Sequence, residues 1–163
     1  MPSKYVIGTL KSFKQFKALD QQPVGMDHND ERWLWFEVIA HELGHLHVLI
    51  EHGHAVPNYR SAVRSRRRMV FVNQQLEPLS VAYRDLNEAL AVRSTVEAMA
   101  LCGHKVTREQ YRDLIHAAAR PYDVSHRRAI YKLARRDPEC ARKAAQRTVD
   151  FLLEAGCVHR RRA

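Results

Sequence analysis

Long apolar runs are missing from this sequence of 163 residues. No stretch approaches the roughly 20 consecutive apolar residues that a membrane-spanning helix needs. Residues 1–20 contain lysines, but they include no apolar segment long enough for the core of a signal peptide. These absences predict a protein that does not enter the membrane and that works in the cytoplasm.

Cysteine is scarce, and its few copies are not arranged in pairs. The chain contains Cys102, Cys140 and Cys157, which is an odd number, and it has no C-x-x-C motif. Disulfide frameworks and cysteine-ligated zinc domains both depend on paired or closely spaced cysteines. The pattern therefore predicts reduced thiols, and it supports neither a disulfide framework nor a cysteine zinc site.

Acidic residues are too few to balance the basic ones. There are 18 Asp and Glu against 27 Lys and Arg, which gives a net charge of +9, and the excess is clustered at residues 64–68, 127–128, 135–136 and 160–162. Such runs attract polyanions, nucleic acid among them, or acidic partners. The runs lack interleaved aromatic residues and a known nucleic-acid motif. The simpler interpretation, solvated faces and a frayed C-terminal tail, is therefore favoured.

Hydrophobic spacing predicts a single domain over 1–163 that is mainly α with a small β element. Apolar residues recur at steps of three and four, between N-capping residues and glycine stops. Residues 1–29 are expected to form an N-terminal strand and loop, 30–103 a core of two long helices, and 104–163 a helical C-terminal half. The predicted helices cover about 31–52, 79–102, 107–120, 125–136 and 138–155, and the predicted strands cover 4–10 and 69–72.

The most informative motif is His41-Glu42-Leu43-Gly44-His45, which reads H-E-x-x-H inside the first long helix. Residues four apart lie on one face of a helix, so both histidines can bind one metal ion. Glu42 can reach a water molecule bound to that ion. Gly44 costs the helix about 1 kcal/mol relative to alanine, which favours close packing as the reason for its presence.

A catalytic zinc site of this kind needs a third protein ligand. His47 is only two residues from His45 and is expected to point away from the metal. Glu51 occupies the position at which metzincins carry their third ligand, but six residues of continuous helix rotate it off the site. His52 and His54, near the end of the helix, stay open as weaker candidates.

The better candidate for the third ligand is Glu88, on the second long helix. Its neighbours Leu86, Ala89, Leu90 and Ala91 predict partial burial, and a buried carboxylate needs a partner. A cation held by two imidazoles would be such a partner. The alternative is an exposed Glu88 paired with a nearby arginine, either Arg84 or Arg93.

The H-E-x-x-H motif together with Asn87-Glu88 resembles the gluzincins, the thermolysin-like zinc metallopeptidases. The resemblance covers residues 41–45 and a few residues around Glu88. It implies a minimal zincin-like domain in which the active-site helix packs on a second long helix. It also implies that His41, His45 and Glu88 bind Zn²⁺, and that Glu42 is the general base that activates the zinc-bound water.

The sequence departs from the gluzincin pattern at two positions. His47 stands where an apolar residue is usual, and Val92 stands where an aspartate normally orients a zinc-bound histidine. Asp85 or a backbone carbonyl could take over that orienting role. The region before the active-site helix is short, which leaves residues 69–72 as the candidate edge strand for a peptide substrate.

These features predict a zinc-dependent metallopeptidase acting on a peptide or protein substrate. The alternative is a basic binding or regulatory module that keeps the metal site without hydrolysis and binds nucleic acid or an acidic partner. A di-iron helical protein is excluded because it needs a second E-x-x-H motif on another helix. The residue that stabilises the oxyanion stays open among Arg93, Tyr111, His116, Tyr122 and His126.

Overall fold

The computed structural model describes residues 3–7, 31–54, 79–119 and 124–162. This part of the chain is mainly α with a small β element, which confirms the predicted fold class. Its elements, in chain order, are β1 (Tyr5–Ile7), α1 (Glu31–Glu51), α2 (Val81–Leu101), α3 (Arg108–Ala118), α4 (Val124–Leu133), α5 (Pro138–Glu154) and β2 (Val158–Arg160).

The helices begin and end close to the positions that the local sequence signals predict. Thr107 and Gln110 form the expected capping box, in which the Gln110 amide donates to Thr107 Oγ1 at 3.1 Å. Asp137 caps α5 ahead of a proline at its first turn. Gly53 and Gly103 follow α1 and α2 with φ angles of 79° and 94°, a conformation that glycine adopts without strain. The strand predicted at 69–72 lies outside the described residues.

Three long helices, α1, α2 and α5, pack against one another and enclose the main core. Helix α1 contributes an apolar stripe to it that includes Phe36, Leu43 and Leu46, each almost fully buried. Helix α2 also packs on α3 and α4 through a second apolar cluster that includes Val92. Helix α2 is therefore buried on two sides, and its polar residues that face α1 are enclosed. Among the described helices, none is both long enough and apolar enough to cross a membrane.

A two-stranded antiparallel sheet joins the two ends of the described chain. Ile7 pairs with Val158 and Tyr5 with Arg160, and the amide of Arg161 donates to the carbonyl of Lys4 at 2.8 Å. The interpretation of the C-terminal basic run as a frayed tail is therefore wrong for its first residues. Ile7 and Val158 are both buried, and this burial anchors the sheet to the helical core.

Helices α1 and α2 approach each other closely at Gly44. A Cβ atom placed on Gly44 would lie 3.2 Å from the carbonyl oxygen of Ala91 and 3.3 Å from its Cα. Both are backbone atoms, which yield less readily than the end of a side chain. The glycine in the middle of α1 is thus explained by helix packing, as its cost to helix stability suggests.

Candidate metal centre

The three side chains predicted as metal ligands lie together in the interface between α1 and α2. Nε2 of His41 is 2.9 Å from Oε1 of Glu88, and Nε2 of His45 is 3.2 Å from Oε2 of the same carboxylate. The two Nε2 atoms are 3.1 Å apart. The H-E-x-x-H spacing stacks the histidines on one face of α1, and the packing of α2 brings Glu88 opposite them.

The separations within this group suit a shared metal ion. Ligands around a tetrahedral ion with bonds of 2.0–2.1 Å lie about 3.3 Å from one another, which is close to the three distances found here. The group has the donor types that could hold a metal ion. The side chain of His41 is 23% exposed, so solvent and ions can reach the group from that side.

Glu88 pairs with the two histidines and not with a nearby arginine, which was the alternative considered from the sequence. Both of its carboxylate oxygens face histidine nitrogens. Arg93 instead pairs with Glu97 one turn further along α2, at 2.8 Å between Nη2 and Oε1. The carboxylate of Glu88 is therefore directed into the group of ligand-type atoms.

The charges within the group favour a positive charge at its centre. Burial disfavours a charged His45 ring, but the Glu88 carboxylate, together with Glu42 and Asn87, outweighs burial and raises the pKa of His45 to about 9. Burial also disfavours an ionised Glu88, yet the two histidines outweigh it and hold the pKa of Glu88 below its usual range. A bound cation would stabilise the buried Glu88 carboxylate in the same way as a protonated histidine does.

Asn87 fixes the orientation of the His45 ring. Its Nδ2 donates to the backbone carbonyl of His45 at 3.2 Å, and its Oδ1 lies 2.5 Å from Nδ1 of His45. Because Oδ1 can only accept, the hydrogen of a neutral His45 ring is on Nδ1 and the lone pair is on Nε2, which faces Glu88. The Asn87 side chain is fully buried, which holds this arrangement in place.

This role of Asn87 was not predicted from the sequence. Asp85 or a backbone carbonyl was the expected orienting group, and the contact with Nδ1 of His45 is made by Asn87. The sequence feature that could have indicated this role is the position of Asn87 directly before Glu88 on α2. From there its side chain also reaches α1. An amide accepts from an imidazole N–H as a carboxylate does, and it adds a donor for the carbonyl of His45.

Replacing Asn87 should weaken metal binding without removing a ligand. In Asn87→Leu we expect zinc affinity to fall about 10- to 100-fold, because the ring of His45 loses its orienting partner. Asn87→Asp keeps the acceptor and should lie closer to wild type. Competition with a zinc-sensitive dye would measure both affinities. Equal affinities for the wild-type and leucine proteins would show that Asn87 does not orient the ligand.

Glu42 supplies a carboxylate beside the group but takes no part in it. Its side chain is only 3% exposed, and its charge acts on His45. Its Oε2 atom is buried and has no hydrogen-bond partner among the described residues. Buried carboxylate oxygens normally have such a partner, so this atom keeps an unused capacity to accept a hydrogen bond.

The other candidate ligands, on α1 or just after it, make contacts away from the group formed by His41, His45 and Glu88. Nδ1 of His47 lies 2.8 Å from Thr148 Oγ1 on α5, which agrees with the expectation that His47 points away. Glu51 forms an ion pair with Arg147. The rings of His52 and His54, which follow α1, both pack against Tyr83, with 5.6 Å and 5.0 Å between ring centroids.

The candidates for oxyanion stabilisation are not resolved by the described contacts. Tyr111 packs against Tyr131, with 6.1 Å between ring centroids, and Arg93 is engaged with Glu97. Tyr122 and the side chain of His126 lie outside the described residues. His116 lines a cavity next to α3 and α4.

No protein-family model, no curated protein and no solved structure matches this chain. What the site can do must therefore follow from its own chemistry.

Proposed function

We propose that this protein is a zinc-dependent metallopeptidase, similar in its site to the gluzincins. The observation that supports this function is the group of His41, His45 and Glu88 across two helices, beside the buried Oε2 of Glu42, which has no hydrogen-bond partner in the part of the chain that the structure describes. Two imidazoles and one carboxylate are the donor set of hydrolytic zinc sites, which keep a further coordination position open. The substrate would be a peptide or protein.

Each residue of the site has a distinct task in this proposal. When bound, Zn²⁺ would supply a Lewis acid that polarises the peptide carbonyl and increases the acidity of water. Glu42 accepts a proton from the attacking water and then delivers it to the nitrogen of the leaving amine. His41, His45 and Glu88 would hold the ion, Asn87 orients the His45 ring through Nδ1, and the charge of Glu88 would partly balance that of the ion.

Metal removal tests this function directly. We expect the purified protein to cleave an unfolded protein such as casein, with products identified by mass spectrometry. A strong chelator should abolish cleavage, and Zn²⁺ should restore it while Mg²⁺ should not, because the site offers two imidazole nitrogens and one carboxylate. Cleavage that persists after chelation would contradict the proposal. So would a protein that carries zinc at this site but cleaves no member of a broad peptide library.

A second candidate function, a basic binding module, has support from one feature. A cavity of about 800 Å³ beside α3 and α4 is lined by Arg108, Arg112, Arg128 and Lys132, with Glu109 as its acidic member. These cations would attract a phosphate-rich or acidic partner. Binding that weakens steeply with salt and is unchanged by Glu42→Gln would favour this function over hydrolysis.

A further inference from the structure

A second group of ligand-type side chains lies where α1 ends and α5 begins. It consists of His52, just after α1, Asp137, which caps α5, and Cys140 in the first turn of α5. Their ligand atoms all lie within 4.8 Å of one another, and Nε2 of His52 is 3.3 Å from Oδ2 of Asp137. The group shares no residue with the one formed by His41, His45 and Glu88.

The two carboxylate oxygens of Asp137 are used separately. Oδ1 accepts a hydrogen bond from the backbone amide of Cys140 at 3.0 Å, as an N-cap does. Oδ2 faces Nε2 of His52. The helix cap therefore holds the carboxylate in place and leaves its second oxygen directed at the histidine, where it could bind a metal ion without loss of the cap.

His52 is held as metal-binding histidines usually are. Its Nδ1 lies 2.9 Å from the hydroxyl oxygen of Tyr83 on α2. When Nε2 binds a metal, Nδ1 carries the hydrogen, and the Tyr83 oxygen can accept it. The arrangement parallels that of His45, whose Nδ1 is held by Asn87 while Nε2 faces a carboxylate.

The thiol of Cys140 completes the set of donors. The residue is only 6% exposed, whereas the side chains of His52 and Asp137 are 19% and 43% exposed and open the group to solvent. Burial, with Asp137 adding to it, raises the pKa of this thiol to about 12. Metal binding must displace the thiol proton to solvent.

We propose that His52, Asp137 and Cys140 bind a thiophilic divalent cation such as Zn²⁺, at a second site that ties the end of α1 to the start of α5. One nitrogen, one carboxylate oxygen and one sulfur are all ligands that zinc accepts, with water at the remaining position. The lack of a C-x-x-C motif argues against a site made of cysteines alone. A search for closely spaced cysteines does not find this mixed site, because it contains one cysteine and its histidine lies 85 residues before its aspartate.

Cobalt is the probe that separates this site from the first. Co²⁺ bound by a thiolate has a charge-transfer absorption in the near ultraviolet, whereas a site of histidine and glutamate has none. We expect the reduced, metal-free protein at pH 8 to develop this absorption on titration with Co²⁺. Cys140→Ser should abolish it. Cys102→Ser and Cys157→Ser, which alter the other two buried cysteines, should retain it.

Asp137→Asn provides a test that preserves the helix cap. Asparagine caps helices as well as aspartate does, so folding by circular dichroism should be unchanged. The loss of the carboxylate should weaken Co²⁺ binding at the thiolate site about tenfold or more. Absence of the absorption in the wild-type protein, its survival in Cys140→Ser, or unchanged affinity in Asp137→Asn would each overturn the proposal.

The two sites can fail independently. His45→Ala disrupts the first site and should leave the thiolate absorption intact. If the protein has no peptidase activity but shows the absorption, only the proposed function fails. If it cleaves peptides but shows no absorption, only the second site fails.

Discussion

Glu42→Gln is expected to lower kcat for peptide hydrolysis about 10²- to 10⁴-fold, the usual contribution of a general base. Glutamine keeps the size of the side chain but cannot accept a proton from the attacking water. Zinc content should stay at the wild-type level, because Glu42 does not belong to the group formed by His41, His45 and Glu88. Initial rates on a cleaved peptide, together with elemental analysis for zinc, would measure both effects.

Glu37→Gln is the matched control for this substitution. Glu37 is a second buried glutamate on α1, 5% exposed, and it lies five residues before Glu42. The change removes a carboxylate of the same type from the same helix, so it corrects for any general effect on stability. Activity in Glu42→Gln that stays within a few-fold of Glu37→Gln would contradict the role of Glu42 as the base.

His45→Ala is expected to abolish hydrolysis and to remove one equivalent of bound zinc. Structural zinc sites bind with about 10–16 kcal/mol in total, so one of four ligands accounts for about 3 kcal/mol, or roughly a 10²- to 10³-fold loss of affinity. His45 contacts both other members of the group, at 3.1 Å from His41 and 3.2 Å from Glu88. Equilibrium dialysis against buffered zinc would measure the loss.

His47→Gln is the control for that experiment. His47 lies two residues further along α1, is fully buried, and contacts Thr148 on α5 rather than the metal group. The variant should therefore bind as much zinc as the wild-type protein. If both variants lost zinc equally, the loss would reflect damage to α1 and not removal of a ligand.

The sequence predicts well those features that depend on neighbours along the chain. The spacing of His41 and His45 indicates a shared helix face, and Thr107 with Gln110 indicates a helix start, because both signals act within one turn. Glu88 was assigned to the site by the resemblance of Asn87-Glu88 to the gluzincins, with support from the argument that a carboxylate among apolar neighbours needs a partner. The structure directs it at the two histidines.

Features that depend on packing between distant segments were not predicted. Asn87 reaches His45 across 42 residues, whereas the sequence indicated only Asp85, one helical turn before Glu88, or a backbone carbonyl for this role. The strand at Tyr5 falls within the predicted strand over 4–10, but its partner at Arg160 was not predicted, so the pairing between them was not predicted either. Such contacts depend on how the helices pack in the core. Hydrophobic spacing indicates which face of a helix is buried, but it does not indicate which residues of another helix lie opposite that face.

The contact at Gly44 has a mechanical consequence for the ligand group. The candidate ligands come from both helices, two from α1 and one from α2, so the distance between the helix axes determines the distance between the donors. Any side chain at position 44 would press on the Ala91 backbone, 3.2–3.3 Å from its first carbon, and would move the helices apart by tenths of an ångström. Gly44 therefore allows the closest packing of α1 on α2 at this point, and so keeps short the distance between the donor atoms of the two helices.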